Sequence, residues 1–128
     1  MKKIIYTSQA PEPVGPYSQG VAQGGMLFVS GQIPFEAATG ELVGEDIASQ
    51  TKQALDNVGA VLAAAGASWE SVLKTTVFLT DLKDFAAMNE VYAGYFDPAT
   101  APARACVEVA RLPKDVRVEI DCIAALVD

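Results

Sequence analysis

Histidine is absent from this chain of 128 residues. That removes Ser-His-Asp and Cys-His catalysis, and with them the commonest transition-metal ligand. Cysteine is scarce: Cys106 and Cys122 are the two present, and no CxxC spacing accompanies them. A zinc site built from these thiols and carboxylates therefore has no spacing to support it. A pair of cysteines in a chain of this size fits a reducing compartment better than a disulfide scaffold. Basic residues are outnumbered, with Lys plus Arg at 9 against Asp plus Glu at 16, a formal charge of −7 at pH 7. That balance repels phosphate backbones and anionic headgroups, and no basic stripe offsets it, so neither nucleic acid nor membrane is an expected partner. No run approaches the roughly 18 apolar residues of a membrane span. Met1 to Tyr6 carries two lysines with no apolar stretch behind them, and the expected location is the cytoplasm.

What is there suits one folded domain over residues 1–128. The apolar fraction is 51% and the charged fraction 20%, with no low-complexity tract or linker. Lys3 to Thr7 reads as a short strand, and Pro11, Pro13, Gly15 and Pro16 then impose an irregular segment. Gly20 to Gln23 and Met26 to Gln32 flank Gly24-Gly25, a hairpin signal. From Asp46 to Ala65, apolar residues at Ile47, Leu55, Val58, Val61, Leu62 and Ala65 form a helical stripe, with Gly66 as its stop. Val72 to Thr80 is apolar and β-branched, as in a central strand. A second helix is expected from about Asp84 to Phe96, ended by Pro98. Ala103 to Ala110 and Val116 to Leu126 read as a closing hairpin. The order β-ββ-α-β-α-ββ implies two crossovers that place both helices on one face of a mixed sheet, an α+β architecture with the other face open.

Strand parity then assigns side chains to that open face. Val116, Val118, Ile120, Cys122, Ala124 and Leu126 alternate with Arg117, Glu119, Asp121, Ile123, Ala125 and Val127, and Ala103, Ala105, Val107 and Val109 alternate with Arg104, Cys106 and Glu108. If the all-apolar sets lie under the helices, Arg104, Cys106, Glu108, Arg117, Glu119 and Asp121 share the open face. Hairpin pairing would set Arg104 opposite Glu119 or Asp121, and the two cysteines would fall on opposite faces. Ile123, Ala125 and Val127 are too apolar for water, so a homo-oligomer packing these faces together is expected, with the charged end as a pocket at the subunit boundary.

Several stretches resemble the Rid (YjgF-like) family. They are Pro102-Ala103-Arg104-Ala105-Cys106-Val107-Glu108-Val109-Ala110-Arg111-Leu112-Pro113 followed by Val118-Glu119-Ile120, and Gly15-Pro16-Tyr17-Ser18-Gln19. Ser30-Gly31-Gln32-Ile33-Pro34 and Met88-Asn89-Glu90-Val91-Tyr92 complete the set. The resemblance covers nearly the whole chain in order. It implies a chorismate-mutase-like fold, a homotrimer and an active site in each cleft between subunits. It also implies cofactor-independent hydrolysis of 2-iminopropanoate, 2-iminobutanoate and their enamine tautomers to 2-oxo acids and ammonia. Such species escape from pyridoxal-phosphate enzymes such as threonine and serine dehydratases.

Those residues suit that chemistry. A guanidinium at Arg104 would bind the substrate carboxylate through two parallel hydrogen bonds; on spacing alone, a cross-strand ion pair is the stronger reading. Glu119 would orient and deprotonate the attacking water or pass a proton to the departing nitrogen. Tyr17 and Ser30 offer hydroxyls to substrate or water, although such a tyrosine more often packs. Gly31 would let a backbone N–H approach a carboxylate closely. By resemblance the backbone of Cys106 contacts ligand, and nothing nearby in sequence marks its thiol as a nucleophile. Asn89 is a supporting residue, and Trp69 belongs to the core or an interface. The competing readings are a trimeric protein that binds such metabolites without turnover, and a ribonuclease, translation inhibitor or chaperone-like protein.

Overall fold

A computed structural model describes residues 1–126. Strands β1 (Lys3–Ile5), β2 (Gly20–Gln23) and β3 (Met26–Gln32) open the chain, followed by helix α1 (Ile47–Ala64), β4 (Val72–Leu79), helix α2 (Phe85–Tyr92), β5 (Ala103–Glu108) and β6 (Val118–Ala125). The β2–β3 hairpin turns on Gly24 and Gly25, whose φ values of 61° and 78° are the left-handed conformations that a tight two-residue turn requires. Asp46 caps α1 by accepting a 2.9 Å hydrogen bond from the Ser49 N–H, and Ala65 and Gly66 close its far end. Helix α2 stops short of the expected Phe96. Its last turn tightens, with the Gly94 N–H donating to Val91 and the Tyr95 N–H to Tyr92, while Tyr95 and Phe96 turn inward to meet the Trp69 ring edge-on.

The six strands form one sheet in the order β1-β2-β3-β6-β4-β5. The expected C-terminal hairpin does not exist. β6 inserts between β3 and β4, antiparallel to both, while β5 lies at the edge, parallel to β4. Burial explains the exchange. Val118, Ile120, Cys122 and Ala124 of β6 are all buried, as a central strand requires, whereas β5 carries Arg104 and Glu108 and buries no residue fully. Charges on a short strand protect a sheet edge from unwanted pairing.

Placing β5 at the edge also inverts its expected parity. Arg104 pairs in register with Thr75, which pairs on its other side with Cys122, and both Thr75 and Cys122 are buried beneath the helices. Arg104, Cys106 and Glu108 therefore project on the helix side, and Ala105 and Val107 share the open side with Glu119 and Asp121. Arg104 and Glu119 stand on opposite faces, and the cysteines on the same face, both with free thiols. Arg117 also leaves the open face: its Nε donates to the Glu45 carbonyl at 2.6 Å and it pairs with Asp84 at 3.4 Å. The expectation failed because α2 is only eight residues long and leaves β5 partly unroofed, so an all-apolar set gains little by facing it.

Both helices do pack on one face. Ala54, Leu55, Val58, Val61 and Leu62 of α1 join Leu27, Val29, Val77, Leu79, Val118 and Ile120 of the sheet in one core. The opposite face has no helical cover, and Ile4 and Phe28 there are 52% and 46% exposed. Ile123 and Ala125 face the same side, half-buried, while Val127 lies outside the described residues.

Candidate functional site

On the helix side, the guanidinium of Arg104 is held by one face of α2. Its Nη1 donates to Asn89 Oδ1 at 2.6 Å, and its central carbon lies 4.7 Å from the Tyr92 ring centroid and 5.4 Å from that of Phe85. No carboxylate pairs with Arg104 among the described residues, so the cross-strand ion pair is not formed. An exposed, oriented, unneutralised guanidinium has the donors to receive a carboxylate. Cys106 lies two residues further along β5. Burial pushes its thiol pKa up and the Arg104 charge only partly opposes this, which favours the thiol over the more nucleophilic thiolate.

The second cluster gathers around Glu119, where the β3–β6 register shifts between Val29 and Gln32. Gly31 sits in that irregular stretch, and a Cβ there would collide with the Glu119 carboxylate. The missing side chain thus makes room for the glutamate. Burial raises the Glu119 pKa, and the nearby charge of Asp121 raises it further. Asp121 is itself raised by burial, against the opposing effects of Thr76 and Lys74. Tyr17 is exposed and lines, with Gly31, Gln32, Ile33 and Phe35, a cleft of about 360 Å³. Ser30 donates its hydroxyl proton to the Ser18 carbonyl at 2.6 Å, leaving its oxygen free only to accept. Trp69 packs in the helical layer against Tyr95, Phe96 and Gly59.

The structure therefore sets Arg104 beside Asn89, with Cys106 along the same strand, and Glu119 against Gly31, while Tyr17 lines a cleft with Gly31 and Ser30 precedes it in the chain. Among the described residues, no group of three or more His, Cys, Asp or Glu side chains could hold a metal ion. No described helix is long and apolar enough to cross a membrane.

Sequence reasoning missed the buried amides that shape the loops of the second cluster. Gln19 donates to the carbonyls of Thr7, Ala10 and Pro11 and accepts from the Thr7 N–H, tying down the proline-rich segment that carries Tyr17. Asn57 reaches from α1 to the carbonyls of Ile33 and Phe35, at 3.0 and 2.9 Å, just beyond Gly31. The available signal was an amide at a helix position flanked by core residues. Asn57→Ala should cost about 1–3 kcal/mol, since it strands two part-buried carbonyls; the midpoint of urea unfolding is the measurement.

Comparison with known proteins gives one consistent answer. The family model described as Endoribonuclease L-PSP matches residues 7–126. A RutC family protein of Synechocystis is 62% identical over 125 residues, covering 97% of this chain and 96% of its own. A protein of Escherichia coli named 2-iminobutanoate/2-iminopropanoate deaminase is 54% identical over 126 residues, covering 97% and 98%. Among solved structures, E. coli TdcF with bound serine superposes with a TM-score of 0.92 at 52% identity, covering 98% of this chain and 99% of the other. With the motifs, the mixed sheet and these full-length matches in agreement, the chain belongs to the Rid family, the family whose model carries the L-PSP description.

Proposed function

We propose that this protein hydrolyses 2-iminobutanoate, 2-iminopropanoate and their enamine tautomers to 2-oxo acids and ammonia. The observation that carries this reading is that one chain supplies both an unneutralised, clamped arginine and a half-buried glutamate of raised pKa. The first matches the substrate's carboxylate, and the second matches the proton traffic of its C=N bond. The E. coli relative named for this activity supports the choice of substrate. Serine bound to TdcF, a carboxylate with nitrogen on the adjacent carbon, is consistent with the same class of ligand.

Arg104 binds the carboxylate through two N–H donors, and Asn89 fixes the guanidinium plane. An enamine first gains a proton at C3 to become the iminium. Glu119 takes a proton from water as the water oxygen bonds to C2, giving a carbinolamine. That proton passes to the nitrogen, Glu119 takes the hydroxyl proton as the C–N bond breaks, and ammonia departs as the carbonyl of the 2-oxo acid forms. Imines already hydrolyse in water, so positioning and one acid–base group suffice.

Arg104 and Glu119 lie on opposite faces of one sheet, so a site using both takes them from different copies. The apolar face that carries Glu119 suits packing between copies. Taking the homotrimer that the family resemblance implies, we read its clefts as joining the Arg104 cluster of one copy to the Glu119 cluster of the next. The nuclease named in the family description fits less well, since the net charge of −7 opposes RNA and no histidine serves as its base.

The test is release of ammonia and 2-oxobutanoate from freshly generated 2-iminobutanoate, run beside buffer and Arg104→Ala. No acceleration over buffer would end the enzyme reading. The pH profile tests the role of Glu119. A raised glutamate pKa means that the base form, and kcat/KM with it, is lost on acidification at a pH above the usual carboxylate range. Asp121→Asn removes a charge that holds that pKa up, so the acid limb should move to lower pH; an unmoved limb would assign it to another group.

A further inference from the structure

We infer that Tyr92 is a positioning residue for the carboxylate-binding arginine, with its ring as the seat of Arg104 and the buried Thr75 hydroxyl as the pin that fixes the ring. The inference rests on the proposed role of Arg104 and extends it to groups that never touch substrate.

Arg104 sits on an edge strand with an exposed side chain, where a long flexible arm would sample many rotamers. Three residues at successive turns of α2 remove that freedom. Phe85, Asn89 and Tyr92 fall at i, i+4 and i+7, on one stripe of the helix. The two rings contact the guanidinium, and Asn89 takes a single N–H. The remaining donors have no partner among the described residues and stay free for an anion.

The two rings are not equivalent. Phe85 is 37% exposed, whereas Tyr92 is 6% exposed and lies closer to the guanidinium. The Tyr92 hydroxyl is hydrogen-bonded at 2.7 Å to Thr75 Oγ1, and both are buried. Thr75 is also the register partner of Arg104 on the neighbouring strand. One β-sheet row thus fixes both the backbone of Arg104 and the ring beneath its charge. A phenylalanine at position 92 would keep the ring but leave the buried Thr75 hydroxyl without this partner.

The test compares steady-state 2-iminobutanoate hydrolysis by the full-length wild type, Tyr92→Leu, Tyr92→Phe, Thr75→Val and Arg104→Ala. Tyr92→Leu loses the ring face and should raise KM about tenfold, within the range of a partly desolvated cation–π contact, with kcat within about twofold because Glu119 is untouched. Tyr92→Phe keeps the ring and should recover most of that loss, leaving KM about threefold high, the size of one hydrogen bond. Thr75→Val removes the same bond and should match Tyr92→Phe. The double variant Tyr92→Phe with Thr75→Val should be no worse than either single one.

An unchanged KM in Tyr92→Leu, or a fall in kcat at constant KM, overturns the inference. Thermal melts report whether Tyr92→Leu folds. If it does not, the near-isosteric Thr75→Val decides, and an unchanged KM there overturns the pin. Failure of the broader reading looks different: the wild type would not outpace buffer, or Arg104→Ala would bind substrate normally.

Discussion

Glu119→Gln is expected to lower kcat by about 10²–10⁴-fold, the usual contribution of one general acid–base group, with little change in KM. Glutamine is nearly isosteric with glutamate, so it keeps the space that Gly31 leaves open, yet its amide cannot accept the proton of the attacking water. The carboxylate-binding cluster is built on β5 and α2, on the other side of the sheet, and does not sense the change. Binding of 2-oxobutanoate, measured by calorimetry, should therefore survive in the variant. Wild-type turnover in Glu119→Gln would remove the glutamate from the mechanism. Binding without turnover in the wild type itself would instead support a metabolite-binding protein.

Arg104→Ala should lose about 10²-fold or more in kcat/KM, through KM, because two charge-assisted hydrogen bonds to the carboxylate disappear together. Its Asn89 and Tyr92 neighbours keep their backbone positions, so the variant should fold. Arg104→Lys should recover only part of the loss, since an ammonium lacks the paired donors and the flat face that rests on the Tyr92 ring. The opposite-face placement of Arg104 and Glu119 gives a further outcome. Unfolding and refolding Arg104→Ala with Glu119→Gln in equal amounts should regenerate activity, although each is nearly inactive alone. In a ring where each site draws one residue from each of two neighbours, about a quarter of the sites recover both groups. No recovery would place both residues in one chain's site.

Much of this was legible from residues alone, for local reasons. Gly24-Gly25 admits few conformations other than a tight turn, and the stripe from Ile47 to Leu62 has one way to bury itself, so these elements fall where expected. The alternation in β6 was equally plain because a central strand buries every second residue completely. What could not be read locally was the partner of β5. Adjacent strands usually pair, and nothing within Ala103 to Ala125 reports that β4 provides an edge for each of them. The parity error followed from that choice, since it took the apolar set of an edge strand for a buried one. The family resemblance singled out Arg104 and Glu119 without regard to topology, so neither proposal depended on the face, although Arg104 lies on the side opposite to the one expected. Gln19 and Asn57 stayed hidden because their partners are backbone carbonyls, which carry no sequence signal.

The central strand of the sheet comes last of the six along the chain, and this has a cost during synthesis. Until β6 arrives, β3 and β4 each present an unpaired edge with nothing between them, and the core beneath α1 lacks Val118, Ile120, Cys122 and Ala124. A nascent chain that has emerged only through β5 is thus a sticky intermediate, with open strand edges that can recruit other chains. Closing the sheet joins residues separated by about a hundred positions, such as Met26 and Ala125, a loop closure that slows folding. Truncation before Val118 should therefore yield aggregates instead of a smaller folded domain, and the last strand acts as the keystone of the molecule.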